Sequence, residues 1–246
     1  MLEETVTSGN GQGDGWRTQP MYTIGEASRL AHVAPVTVRR WLHGYAPDRR
    51  YPDWRSPPVF GPKDTTISLV SFLQLVEIVV ASDFRKISRL KLDVIRDSHT
   101  NLRVESGREY PFAHAELESA GHHVVRWLRE QSLAQAVDTP QQFSLPGLLE
   151  ERTHEAMEQR LSELDFERQL AARWYPIGKE IPIVVDPLFA AGLPTIVGRG
   201  VTVGAIYRRW KADPKDNISF IADDLQVESS LVEQALKYAD TLKIAA

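Results

Sequence analysis

The sequence predicts a mainly α-helical protein with small β elements, in which an N-terminal winged helix-turn-helix and a C-terminal three-helix unit flank a connecting sheet region. Three observations favour this fold: a capped, helix-periodic segment that begins at Thr23, a stretch rich in proline and aromatic residues at 44–62, and three short amphipathic segments that begin near Val203. A length of 246 residues suits two packed units joined by a connecting region.

The composition is typical of a globular protein from a reducing compartment. Hydrophobic residues make up 42% of the chain and charged residues 25%, which suffices for a buried core. The lack of cysteine excludes disulfides and cysteine-based zinc sites, and it suits the cytoplasm. The apolar stretch 67–81 is shorter than the roughly 20 residues that span a bilayer, so it predicts a core helix. Residues 1–18 are predicted to form a disordered tail, with no signal peptide.

Charges of opposite sign lie in separate regions. The formal net charge is -4, but residues 38–63 contain six basic and two acidic side chains, a local balance of +4. Residues 150–170 contain seven acidic side chains and three arginines, a local balance of -4. Such a chain can meet phosphate with one region and a basic partner with the other.

The first helical signal is a capping box formed by Thr23 and Glu26, after which apolar residues recur at helical spacing. Pro35 then stands in the first turn of a second helix, predicted at 35–43, whose inner face contains Val38, Trp41 and Leu42. A second helix of this kind can enter the major groove of DNA. Its solvent-facing and flanking side chains are the predicted DNA contacts: Thr37, Arg39, Arg40 and His43.

The segment 44–62 contains too many prolines for a helix and too many aromatic residues for a free linker, so it predicts a wing with one short hairpin. Arg49, Arg50 and Arg55 would contact the DNA backbone from this wing. A strongly apolar helix is predicted at 68–85, a second helix with Ile95 inward and Arg96 outward follows, and strands are predicted at 122–128.

Three helices are predicted in the C-terminal part, at 203–211, 217–225 and 230–239. The stretch 226–230 between the last two contains a turn-buried Val227 and a serine cap, which repeats a helix-turn-helix organisation. Glu233 and Asp240 would repel phosphate, so protein association is favoured over base reading for this unit. Its possible DNA or partner contacts are Arg199, Arg208, Arg209, Ser229, Ser230 and Gln234.

Two stretches carry a family resemblance. Residues 22–30 (Tyr-Thr-Ile-Gly-Glu-Ala-Ser-Arg-Leu) and 36–42 (Val-Thr-Val-Arg-Arg-Trp-Leu) resemble the DNA-binding end of MerR-like regulators. With residues 71–78, 110–113, 185–187 and 192–194, they resemble a mycobacterial-type family of VapB antitoxins along nearly the whole chain from Met21. In that family a MerR-like domain is joined to a helical, antitoxin-associated domain of poorly characterised type.

The resemblance implies a type II toxin-antitoxin role, in which the protein binds double-stranded operator DNA and neutralises a PIN-type ribonuclease toxin, with a homodimer as the expected assembly. It places Thr37, Arg39 and Arg40 on the recognition helix. Ala34 stands where these regulators usually carry a capping serine. Metal sensing is not carried over, because this chain has no cysteine and no sustained heptad repeat.

These signals divide the chain into four parts: a tail at 1–18, a MerR-like DNA-binding domain at 19–105, a connecting β-rich region at 106–178 with an acidic helix at 148–170, and a helical domain at 179–246. No constellation in the sequence requires catalysis, so neither an enzyme nor a cofactor is expected. The adjacent His122 and His123 would point to opposite faces of a strand, so no metal site is expected there.

Two alternatives remain open. A stand-alone, ligand-responsive transcriptional regulator would use the aromatic residues of the middle region as a small-molecule pocket: Trp127, Phe143, Phe166, Trp174 and Tyr175. The second alternative is a protein-interaction module whose helix-turn-helix units no longer bind DNA. Tight, salt-sensitive DNA binding would exclude this alternative.

Overall fold

The computed structural model describes residues 15–45, 56–60, 69–86, 90–116, 146–212 and 217–243. The fold is mainly α-helical with small antiparallel sheets of two strands each, as the sequence predicts. The elements of the N-terminal part are α1 (Gly15–Thr18), β1 (Pro20–Thr23), α2 (Ile24–Leu30), α3 (Pro35–His43), β2 (Leu69–Ser71), α4 (Phe72–Lys86) and α5 (Leu92–Ser106).

Helix α4 forms the centre of the N-terminal part. Eleven of its 15 residues are buried, and its neighbours include α1, α5 and the strand pair. The helix begins at Phe72, not at Ser68 as predicted, because residues 69–71 form β2 and pair with β1. Its start carries a reciprocal cap that the sequence analysis overlooked: the Ser71 N–H donates to Gln74 Oε1 (2.9 Å), and the Gln74 N–H donates to Ser71 Oγ (3.3 Å).

The middle of the chain differs from the prediction at one boundary. A single 3-10 turn (Pro111–Ala113) follows α5, and α6 (Pro146–Ser162) is followed by the hairpin of β3 (Leu164–Glu167) and β4 (Leu170–Trp174). The predicted acidic helix at 148–170 therefore ends at Ser162. The reason is the hairpin turn, where Arg168 and Gln169 adopt left-handed backbone angles (φ 51° and 68°) that a helix cannot contain. The predicted strands at 122–128 lie outside the described residues.

The C-terminal part contains β5 (Ile183–Val184), β6 (Thr195–Ile196), α7 (Val203–Ala212), α8 (Ile218–Leu225) and α9 (Ser229–Thr241). All three predicted helices are present. Asn217 caps α8 by accepting the Phe220 N–H (2.8 Å). The predicted serine cap of the last helix is wrong, because Glu228 occupies the N-cap position and its side chain makes no capping bond.

One continuous cluster of buried apolar side chains extends from Tyr22 to Leu242 and includes residues of both predicted domains. The Tyr22 hydroxyl donates to the Gly192 carbonyl (3.1 Å), which connects β1 to the C-terminal part. Arg17, 1% exposed, donates to the carbonyl (3.0 Å) and the carboxylate (3.0 Å) of Glu167. Residues 15–18 are thus a docked helical turn, which corrects the predicted end of the tail. Within the described ranges, no helix has the length and apolar character that crossing a bilayer requires.

Candidate nucleic-acid interface

Helices α2 and α3 are joined by a tight turn that α4 supports. The Thr23 hydroxyl accepts the Glu26 N–H (3.1 Å) while the Glu26 carboxylate accepts the Thr23 N–H (2.8 Å), so the predicted capping box is present. His32 has a left-handed backbone (φ 51°), and its carbonyl accepts a hydrogen bond from Lys86 Nζ of α4 (2.7 Å). These bonds fix the angle at which α3 leaves the turn.

The buried face of α3 is the predicted one, since Val38, Trp41 and Leu42 are all at most 6% exposed. The opposite side carries Arg39 and Arg40, both exposed, and the half-exposed side chains of Thr37 and His43 flank them. Arg39 makes no hydrogen bond or ion pair with any described residue. His43 is a weaker candidate contact, because its Nδ1 atom is buried and has no partner.

Arg40 has a specific neighbour. Its guanidinium carbon lies 4.6 Å from the centre of the Tyr45 ring, within the range of a cation-π contact. Such a contact restricts the rotamers of an otherwise mobile side chain, so it orients the charge in advance. No local sequence pattern indicates this pair, because the contact depends on the chain reversing direction after α3.

Gly44 ends α3 and begins the segment that is predicted to form the wing. Its φ of 71° lies in the left-handed region, and a Cβ at this position would collide with the Ser56 carbonyl oxygen, so only glycine fits. Tyr45 and Ser56 form an antiparallel bridge through two backbone hydrogen bonds of 3.0 and 2.8 Å. The bridge is the base of the predicted wing, whereas the predicted contacts Arg49, Arg50 and Arg55 lie outside the described residues.

Two further residues belong to this face and were missed. Arg96 of α5, predicted to point outward, is half-buried and donates from Nη2 to Ser56 Oγ (3.1 Å), so it ties the wing base to the domain core. Val36 is 54% exposed on the outer side of α3, one turn before Arg40. An exposed methyl group beside two arginines can contact a thymine methyl.

A buried polar pair lies beneath this surface. The His99 ring (Nε2) and the Glu77 carboxylate (Oε1) are 2.8 Å apart, and both side chains are at most 1% exposed. The His99 ring makes edge contacts with Phe60, near the end of the predicted wing segment, and with Phe112 (centroid distances 5.4 and 5.1 Å). The pair therefore connects α4 and α5 to the wing from inside. Among the described residues, no group of acidic and histidine side chains has the arrangement of a metal site.

Comparison with known proteins supports the fold only. No protein family and no curated protein matches this sequence. Among solved structures, the chain is similar to the X-ray crystal structure of Rv2018 from Mycobacterium tuberculosis, with a TM-score of 0.65 and 24% sequence identity. The similarity covers 89% of this chain and 99% of Rv2018. The two proteins share their arrangement of elements over nearly their whole length.

The predicted DNA or partner contacts of the C-terminal part lie on separate elements, and two of them already make contacts within the protein. Arg199 donates to the Gln226 carbonyl, and Arg209 pairs with Asp224 while lying 5.6 Å from the Phe220 ring. Ser229, Ser230 and Arg208 are exposed, and Gln234 is half-buried. Helix α9 presents Glu233, Lys237 and Asp240 to solvent. This second helix-turn-helix therefore offers phosphate less free positive charge than α3 does.

The described aromatic residues of the middle region, Phe166, Trp174 and Tyr175, lie on or next to the β3–β4 hairpin. Trp174 is 3% exposed, its indole N–H donates to Glu163 (3.4 Å), and the Arg160 guanidinium lies 5.5 Å from its ring centre. Burial raises the pKa of the Glu163 carboxyl, and the positive charge of Arg160 lowers it in part. Trp174 is a packed core residue, while Trp127 and Phe143 are outside the part that the structure describes.

Proposed function

We propose that this protein is a DNA-binding antitoxin of the VapB type, which grips an operator through α3 and the wing and neutralises a PIN-type ribonuclease toxin through other surfaces. One observation carries the DNA-binding half: α3 holds Arg39 and Arg40 toward solvent on a helix whose opposite face is fully packed. Arginines in this position can pair with guanine edges or clamp phosphate. The antitoxin half rests on the family resemblance of the sequence motifs.

The charge distribution favours contact through the first helix-turn-helix. Arg39 has no internal partner, and Arg40 is oriented by Tyr45 without being neutralised. In the C-terminal unit the corresponding helix presents two carboxylates, and Arg209 is already paired with Asp224. We therefore assign operator binding to the N-terminal domain and protein contacts to the remainder, with a homodimer as the proposed assembly on DNA.

Gel-shift titration of the full chain with the DNA upstream of its gene tests the first half. Arg39→Gln and Arg40→Gln are each expected to weaken specific binding by about fivefold to 150-fold, the effect of losing one arginine contact of about 1 to 3 kcal/mol. A contact to phosphate would also make the salt dependence shallower by about one counterion. Arg168→Gln is the matched control, because Arg168 is exposed and lies on the β3–β4 turn, an element separate from α3 and the predicted wing. Wild-type affinity in both α3 variants would remove the basis of the proposal.

Co-expression tests the second half. If the neighbouring open reading frame encodes a small PIN-type nuclease, the two chains should elute together in size-exclusion chromatography, and this protein should restore growth to cells that make the nuclease. Growth arrest that persists despite co-expression would reject the antitoxin role and leave a stand-alone regulator, provided that operator binding is observed.

A further inference from the structure

A cavity of about 160 Å³ separates α2 from the C-terminal helices. Its apolar walls come from distant parts of the chain: Leu30 of α2, Leu193 and Pro194 before β6, Val203 of α7, and Leu242 after α9. Leu30, Val203 and Leu242 are each at most 4% exposed, so the walls belong to the packed core and are held in place. The cavity is thus bounded by the helix-turn-helix on one side and by the C-terminal unit on the other.

The size of the cavity limits what it can hold. A protein cavity of roughly 150 Å³ with aliphatic walls stays dry and binds benzene. The cavity next to α2 has a similar volume, but it is open to solvent on one side and polar side chains line part of it. A single aromatic ring or a branched alkyl group of comparable size can therefore occupy it with a polar group left at the opening.

Charge at the rim favours an anion. Arg29 of α2 and Arg208 of α7 both line the cavity, and both are exposed. The guanidinium group of neither arginine has an ion pair or a hydrogen bond with another described residue. Among the described residues that line the cavity, the only carboxylate is that of Glu26, and it already accepts hydrogen bonds from the Thr23 N–H and hydroxyl, both 2.8 Å. Two guanidinium groups therefore stand unpaired beside an apolar cavity, and a carboxylate is the group that arginine binds with two parallel hydrogen bonds.

We propose that this cavity binds a small apolar carboxylic acid of about the size of benzoate, with the ring in the cavity and the carboxylate at Arg29 and Arg208. The site goes beyond the proposed operator and toxin contacts and does not depend on either. A bound acid would connect α2 to α7 through one ligand. It would also stabilise the folded protein in proportion to its concentration relative to its Kd.

Calorimetric titration of the full chain with sodium benzoate, without DNA, is the test. We expect saturable binding with one site per chain, and at least tenfold weaker binding of benzamide, which keeps the ring but has no charge. Arg29→Gln and Arg208→Gln should each weaken benzoate at least threefold and leave benzamide unchanged. Arg209→Gln should bind benzoate as the wild type does, because it removes the same charge from the next residue of α7, which does not line the cavity.

Methyl chemical shifts give an independent readout of position. Benzoate should shift the methyl signals of Leu30, Val203 and Leu242 and leave those of Val76 and Ile78, in the centre of α4, in place. No saturable binding by the wild type at 10 mM benzoate, or equal affinity for benzamide, would overturn the proposal. So would wild-type benzoate affinity in both the Arg29 and Arg208 variants. Each of these results is obtained without DNA, so it can be distinguished from a failure of the operator-binding proposal.

Discussion

Two buried tyrosines differ in what their hydroxyl groups contact. Tyr22, fully buried, donates to the Gly192 carbonyl (3.1 Å), whereas the hydroxyl of Tyr238, 3% exposed, is buried without a hydrogen-bond partner among the described residues. Burial raises the pKa of both phenols well above the usual value for tyrosine, so both stay protonated throughout the pH range in which the protein is handled. Any difference between them therefore reflects hydrogen bonding and not ionisation.

Removal of each hydroxyl should consequently have a different effect. Tyr22→Phe leaves the buried Gly192 carbonyl unpaired and is expected to lower the free energy of unfolding by about 1 to 3 kcal/mol. Tyr238→Phe removes an unsatisfied polar atom, so it should be neutral or should stabilise the fold by up to about 1 kcal/mol. Urea denaturation at pH 7 measures both values, and equal destabilisation by the two substitutions would contradict the assigned hydrogen bond.

At the scale of single elements, α3 starts without a side-chain cap. Ala34 has the extended backbone of an N-cap residue (φ -61°, ψ 140°) and is exposed, but it offers no oxygen to the first turn. Ala34→Ser supplies that oxygen without any change of backbone, so it should raise the free energy of unfolding by about 1 kcal/mol. Chemical denaturation should show a higher midpoint with an unchanged slope.

The control for this substitution is Ala34→Val, which adds a side chain of similar size but no acceptor. If the valine variant is stabilised as much as the serine variant, the gain does not come from capping. Operator binding by the serine variant should equal that of the wild type, because residue 34 precedes Arg39 by more than one helical turn.

Local signals made some elements predictable from the sequence and left others hidden. The capping box at Thr23 and the bounds of α3 follow from neighbouring residues, and so does the exposure of Arg39 and Arg40. Strand β2 was mistaken for helix because its partner, β1, lies about 50 residues earlier in the chain, where no local pattern reveals it. The contact of Arg40 with Tyr45 and that of Arg96 with Ser56 likewise require the folded chain.

On the scale of the whole molecule, the predicted boundary near residue 178 does not separate two independent cores. Buried apolar residues form one cluster from the N-terminal helices to α9. Across that boundary Tyr22 donates a hydrogen bond to Gly192, 170 positions later in the chain, and within the region before it Arg17 bonds Glu167, 150 positions later. We infer that the helix-turn-helix and the C-terminal helices unfold together, because contacts of such sequence separation form and break cooperatively.

Substitution of Gly192 tests whether the N-terminal and C-terminal helices unfold together. Its φ of 70° is in the left-handed region, and a Cβ there would overlap the Tyr22 ring, with Cζ only 2.7 Å away. Gly198 shares the backbone conformation (φ 73°) but has open space around its Cα, so it is the matched control. Gly198→Ala should cost about 1 to 2 kcal/mol of unfolding free energy, the cost of a left-handed alanine. Gly192→Ala should cost a further 1 to 3 kcal/mol or so from overpacking.

Thermal unfolding followed separately by tryptophan fluorescence and far-ultraviolet circular dichroism should give one shared transition for the wild type. Equal costs of the two substitutions would show that the contact between Tyr22 and Gly192 does not hold the two halves together.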